Sequence, residues 1–326
     1  MNGRIGRRQA GMTLIELMVA MLIGTVLVAG AITVYVQSRA SFRTADSIAR
    51  LQENLRFALD TLEPDVRLAR FWGLHNQPNR LQLPAGLQVS CAGASPAAAT
   101  TLALGDLTAA VASRDDNYDL PCPGQSPRAG SDVLLVRHAS ARITAPNPGQ
   151  VQVESNTGGG QLFDSGLAPG LRAPSETRDV VINAYYVGSS SFEPGLPALR
   201  RLSLVDGGAS GRLEDQEVIP GVENLQVQFG LDTDNDMEVD RYVDGDNPLA
   251  APGAAARIIA VRLWLMVRGE TSELGQGFTD DATYTPADAN LAPIRPGITP
   301  DYPADFRRLT ASKTIYLRNA MDPPNP

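Results

Sequence analysis

Hydrophobic and polar positions alternate along this chain with three distinct periods. From Leu14 to Val36 nearly every position is apolar, no proline occurs, and the one charged residue is Glu16. As a helix rising about 1.5 Å per residue, that run reaches roughly 34 Å, enough to cross a hydrocarbon core of about 30 Å. Arg4, Arg7 and Arg8 precede it and a long polar chain follows, which orients the N-terminus toward the cytoplasm. An acid inside such a span costs a few kcal/mol, so Glu16 is a functional candidate. The period then changes. Ile48, Leu51, Leu55, Leu59, Leu62, Val66 and Ala69 recur three and four apart and predict one apolar stripe on a helix. Arg43, Asp46, Arg50, Glu53, Arg56 and Asp60 fill the opposite face with pairs of opposite sign, sufficiently explained as a solvated surface. Pro64 predicts a bend or a new segment, and Gly73 a stop.

Residues 74–131 show no clear period and read as loop with small strands or a short helix. Beyond them the two-residue period of strands takes over: 132–137, 151–154, 180–187, 198–205, 222–229, 259–268 and 309–317. The runs at 198–205 and 222–229 read as paired strands. Turns separate these runs and no helical crossover lies between them, which predicts antiparallel pairing. The fold class is therefore α+β: a long N-terminal helix, membrane-spanning first and amphipathic second, packed on an antiparallel β-sheet globular domain. The expected divisions are a leader at 1–11, a membrane helix at 12–36, an amphipathic helix at 37–73 and a β-rich domain at 74–326.

Composition narrows the function classes. The chain has 28 Lys+Arg against 36 Asp+Glu, net −8, and loss of a leader carrying three arginines would leave −11. That balance argues against direct nucleic-acid binding. Two cysteines and two histidines give a hydrolase or a Cys/His metal site almost nothing to work with. His75 and His138 stand far from any nucleophile motif, no Gly-x-Ser-x-Gly turn is present, and Gly158-Gly159-Gly160 lacks the lysine of a phosphate loop. Packing is the expectation for both histidines, and for Trp264 and Tyr185. Cys91 and Cys122 are expected to pair in an oxidising compartment, with two buried thiols as the alternative. Closing that loop would contribute roughly 3–4 kcal/mol in the chain-entropy model.

Gly11-Met12-Thr13-Leu14-Ile15-Glu16-Leu17 resembles the class III signal of type IV pilins and pseudopilins. The resemblance implies cleavage by prepilin peptidase between Gly11 and Met12, methylation of the new amine, and Glu16 as the fifth mature residue. Met12 departs from the family's usual phenylalanine but keeps the position apolar. An ordinary anchor, or a signal peptide cut after Ala31, are the competing readings of the same span. A second resemblance, to PilW-type minor pilins, rests on 181–187, 199–202, 221–234, 258–268 and 307–319. It implies a lollipop-shaped inner-membrane protein with a single span and a periplasmic domain, later present in the pilus. Its partners would be other minor pilins, the major pilin, the peptidase and the assembly platform, with a role in priming assembly and in the tip complex. A J-type minor pseudopilin of type II secretion is the alternative, and a membrane-anchored periplasmic hydrolase a remoter one. No cofactor is required. Calcium is an optional ligand: Asp232, Asp234, Asp236, Glu238 and Asp240 begin with the spacing of a calcium loop. Met237 and Val243 replace its turn glycine and bidentate glutamate, and a plain acidic hairpin is the other reading.

Overall fold

Thr13 starts the long helix. Its hydroxyl accepts the N–H of Glu16 at 3.3 Å, satisfying one of the donors that a helix start leaves free. Thr-x-x-Glu is also the spacing of a capping box, a start signal readable in the sequence. In the computed structural model, which describes residues 11–320 apart from 252, 253, 255, 274, 276 and 289, helix α1 runs over Leu14–Leu68. The chain divides into two units, Met1–Ala49 and Arg50–Pro326. In the first unit the apolar side chains are uncovered all round: Leu14 is 78% exposed and Val34 67%. By length and composition this part of α1 can cross a membrane.

Within the second unit α1 becomes one-sided. Leu51, Leu55, Ala58, Leu62 and Val66 are buried and Leu59 packs at the margin of the same core. The helix runs straight through Pro64 rather than starting anew there. Proline so near the end removes a single backbone bond, which the packed stripe outweighs. The helix stops at Leu68, five residues before Gly73, where Arg70 takes a left-handed conformation (φ 67°). Gly73 (φ 90°) is needed by the turn that follows, since a Cβ there would collide with Ser155 Oγ.

Two sheets receive this helix. In chain order the elements are β1 (Leu81–Gln82), β2 (Val89–Ser90), α2 (Pro96–Leu104), β3 (Val111–Arg114), β4 (Val133–Ala139), β5 (Pro148–Asn156), β6 (Gly159–Ser165) and β7 (Ser175–Ser189). They continue with β8 (Pro197–Asp206), β9 (Gly211–Pro220), β10 (Val222–Asp232), β11 (Arg241–Asp244), β12 (Arg257–Arg268) and β13 (Arg308–Tyr316). The larger sheet has the order β1-β6-β5-β7-β8-β9-β2, with β4 on β7 and β3 on β4; the smaller is β11-β10-β12-β13. Most pairings are antiparallel, but β1 with β6 and β2 with β9 are parallel, so the larger sheet is mixed. The expected pairing of 198–205 with 222–229 is not found: β8 pairs with β7 and β9, and β10 with β11 and β12. The intervening β9 carries Glu214, Asp215 and Glu217 and shows little apolar alternation, which hid it.

The cores follow from side-chain parity. Leu134 and Val136 of β4, Tyr185 and Val187 of β7, and Ile259 to Val267 at alternate positions of β12 join the helix stripe in one core. Val133, Leu135, Ile182, Ala184 and Tyr186, on the other face of the larger sheet, pack with Trp72 and with Leu102 and Ala103 of α2. Both faces of β4 are thus buried, which explains its continuous apolar run. Cys91 and Cys122 are disulfide-bonded beside this second core, their Cα atoms 5.8 Å apart.

One polar contact fastens the helix to the larger sheet. Asp65 of α1 accepts hydrogen bonds from Asn183 Nδ2 (2.5 Å) and Tyr185 Oη (2.6 Å). His138 Nε2 lies 3.6 Å from its other oxygen, while Nδ1 donates to the Ala139 carbonyl at 2.8 Å. Burial pushes the Asp65 carboxyl up, and the contacts from His138, Tyr185 and Asn183 outweigh it, so the net shift is downward. A carboxyl held below its unfolded value contributes stability above its unfolded pKa, and that contribution is lost as pH falls through the folded pKa. Asp65→Ala should therefore cost about 2–4 kcal/mol near neutral pH, by stranding Tyr185 and Asn183. The loss should shrink as pH falls below about 4, where the carboxyl of the unfolded chain takes up its proton, and disappear only below the lower folded pKa. Denaturant melts of the two proteins at pH 7 and pH 3 check both the size and the direction.

Candidate functional site

The N-terminal signal residues lie together at the start of α1. Gly11 and Met12 precede the helix, Met12 is 67% exposed, and Glu16 occupies the first turn. Met12 and Glu16 are four residues apart, about one helical turn. Glu16 is also at the end of the helix where the backbone dipole favours an anion. Nothing lies within 4 Å of a Cβ built on Gly11, so the bond between Gly11 and Met12 is sterically open. The basic leader, 1–10, falls outside the described residues.

The acidic stretch forms the hairpin between β10 and β11, and its five acids do not converge. One carboxylate oxygen each of Asp232, Asp234 and Asp240 fall within 4.8 Å of one another, whereas Asp236 and Glu238 are not in this group. The Asp236 carboxylate instead accepts the Glu238 N–H at 2.8 Å. Asp232, buried, accepts the N–H groups of Asn235 (2.7 Å) and Met237 (3.2 Å). Asp240 accepts Thr233 N–H at 2.7 Å and Thr233 Oγ1 at 2.5 Å, and these bonds hold its carboxyl below the ordinary range. Met237, at the turn-glycine place, adopts φ 71°. The hairpin therefore folds on its own N–H groups.

Both histidines are structural. His75 Nδ1 accepts the Gln77 N–H at 3.2 Å, and burial lowers the pKa of the ring. His138 belongs to the Asp65 contact. Trp264 and Tyr185 are core residues.

A buried ion network, not anticipated from the sequence, sits on the far face of the smaller sheet. Glu223 of β10 and Arg308 of β13 have fully buried side chains, with Arg308 Nε 2.6 Å from Glu223 Oε2. Arg308 Nη1 lies 3.1 Å from Asp280 Oδ2, and Arg268 Nη1 and Arg128 Nη2 lie 3.6 and 3.8 Å from Glu223 Oε1. Arg307 Nε meets Glu273 Oε2 at 2.7 Å. Together these pairs tie the long 269–307 segment, which contains a single bridge between Tyr284 and Ile294 among its described residues, onto the sheet. Breaking one partner of such a buried pair is costly because the other charge stays desolvated. Glu223 and Arg308 both lie in stretches that carry the PilW resemblance; their charge opposition in otherwise apolar strands was the available signal.

Comparison with known proteins finds matches in two parts of the chain. Residues 184–319 match the family model for type IV pilus-assembly protein W, PilW, and residues 6–32 that for the prokaryotic N-terminal methylation motif. No curated protein matches the chain. A type IV-like pilin from Thermus thermophilus aligns over 60% of this chain and 83% of its own, at 15% identity and a TM-score of 0.28, too weak to bear on the fold. From β7 to just beyond β13 this chain therefore resembles type IV pilus-assembly protein W, and a methylation motif opens its long apolar helix.

Proposed function

We propose that this minor pilin is made as a single-span precursor in the inner membrane with its second unit in the periplasm. Prepilin peptidase cuts between Gly11 and Met12 and methylates the Met12 amine. The mature chain then joins other minor pilins and the major pilin at the assembly platform, where it primes the fibre and contributes to its tip. The observation that carries the reading is Glu16, the one charge in an apolar helix whose side chains are uncovered on every side. A carboxylate in a low-dielectric helix bundle needs a counter-charge. The new amine of a neighbouring pilin, one helical turn from that neighbour's own fifth residue, supplies it only in the correct register. The same geometry serves a J-type minor pseudopilin of type II secretion, and the partners separate the two. Calcium at the 232–240 hairpin is not needed for this role.

Processing is tested at the N-terminal peptide. Mass spectrometry should find the mature chain beginning at Met12 with a methylated amine, and Gly11→Val should leave the full precursor in the membrane. A start at Ile32 would mean that signal peptidase had cut instead.

The role of Glu16 is tested by piliation. Glu16→Ala keeps the apolar span and the cleavage site, so insertion and processing should be normal while surface pili fall severalfold or more. Glu16→Gln retains a hydrogen bond without the charge and should be intermediate. Pilus yield is measured in a strain whose single copy is the variant, with immunoblots for level and maturation. Normal piliation by a stable, processed Glu16→Ala protein would remove Glu16 from the mechanism.

A further inference from the structure

Two arginines of the second unit meet at a hollow that offers them no acid. Arg70 lies just past the end of α1, and Arg257 opens β12. Both line a polar cavity of about 350 Å³ together with Gln77, Asn79 and Thr108. Among the described residues no aspartate or glutamate belongs to its wall, although acids outnumber lysines and arginines 36 to 28 in the chain. A second cavity of about 350 Å³ shares Arg70, Thr108 and Arg257. The rest of its wall is apolar and includes Ala109, Val111, Ala254, Ile258 and Leu317. The two arginines are thus common to a polar cavity and an apolar one.

Arg70 supplies an independent observation. Its Nε is a buried atom without a hydrogen-bond partner. Burial, and then the like charge of Arg257, hold the Arg70 guanidinium below its ordinary pKa, and no acid acts against them. Arg257 donates through Nη2 to the Ala320 carbonyl, a neutral acceptor. The helix dipole favours a cation at the end of α1, which accounts for one arginine there. It does not account for a second arginine brought up to the first from β12, since like charges repel. Nor does it account for a buried guanidinium N–H with nothing to donate to. An anion held by the pair removes both costs.

We propose that Arg70 and Arg257 bind a carboxylate carried on a short apolar body, with the body in the alanine-lined cavity. The planar fork of an arginine matches the two oxygens of a carboxylate. Thr108 and the carboxamides of Gln77 and Asn79 add neutral donors around such a head. The adjoining apolar wall selects an organic acid over a bare inorganic anion, and its alanines leave room for methyl-sized groups. Cavities of this size and mixed lining suit small ligands. Two sources share this chemistry: a free short-chain carboxylic acid, and the carboxyl terminus of a peptide ending in small apolar residues.

The test uses the full mature chain in detergent and ligand-observed nuclear magnetic resonance, with detergent alone as the blank. The probes are butyrate, N-acetyl-alanyl-alanine and the neutral amide of each. The better carboxylate should bind with a Kd of about 10⁻³ M, and its identity separates the two sources. Its amide should bind at least about tenfold more weakly. Arg70→Gln should also weaken carboxylate binding at least about tenfold. Its melting temperature should hold or rise, because Arg70 has no acid partner to lose and a like-charge contact is relieved. A merely structural Arg70 would instead lower the melting temperature and leave binding unchanged. Ala254→Leu fills the apolar cavity without altering either charge and should weaken binding too. No binding by either carboxylate, equal binding of carboxylates and amides, or undiminished binding in Arg70→Gln or Ala254→Leu would overturn the assignment.

Discussion

The apolar stripe from Leu51 to Val66 is the constraint on which the second unit depends. Among the described residues no strand of the nine-stranded sheet pairs with a strand of the four-stranded one, so the ladder bonds of each sheet end at its own edges. The helix face supplies what both need, a shared core reached by β4 and β7 from one sheet and by β10 and β12 from the other. Each buried leucine on that face contributes about 1.5–3 kcal/mol, and Asp65 fixes the rotation and depth of the helix by meeting Asn183 and Tyr185 at one height. Apolar contacts tolerate sliding, whereas a buried carboxylate with directed donors does not.

One helix thus meets two solvents. In the first unit it is apolar around its whole circumference, as a lipid or a bundle of like helices requires; in the second it is apolar on one stripe, as a globular core requires. Its match to type IV pilus-assembly protein W over 184–319 points to a structural component of pilus assembly. Its chemistry accordingly lies in charge placement. Glu16 is a single charge in an apolar span, Asp65 and Glu223 are buried acids that hold elements in register, and the chain carries no histidine beyond the two that packing absorbs.

How much of this could be read from the sequence follows the range of the interactions. Helix α1 and strands β4, β7, β12 and β13 announce themselves because their periods are local, and the pairing of Cys91 with Cys122 follows from there being two cysteines. Strand β6 goes unmarked because its glycines and Asp164 break the apolar pattern, and β9 because Glu214, Asp215 and Glu217 interrupt its apolar alternation. Once β9 was missed, the assignment of β8 and β10 to different sheets was lost with it. Asp65 carries no signal of its role, since nothing local shows that Asn183, 118 positions on, donates to it. Conversely, in the conspicuous run of acids at 232–240, Asp232, Asp234, Asp236 and Asp240 accept hydrogen bonds from within their own hairpin. Among the described residues, the buried carboxylate oxygens that lack partners belong to Asp115, Asp116 and Asp288, brought together only by the tertiary fold.

The central claim, that this helix places the chain among other pilins, is tested most directly by isolating intact complexes from membranes. Cross-linking in cells, affinity capture of the mature full-length chain and mass spectrometry of what accompanies it would identify the neighbours. The account predicts other minor pilins and the major pilin, with cross-links mapping to their N-terminal helices. Recovery of type II secretion pseudopilins in their place, or of the chain alone, would contradict it.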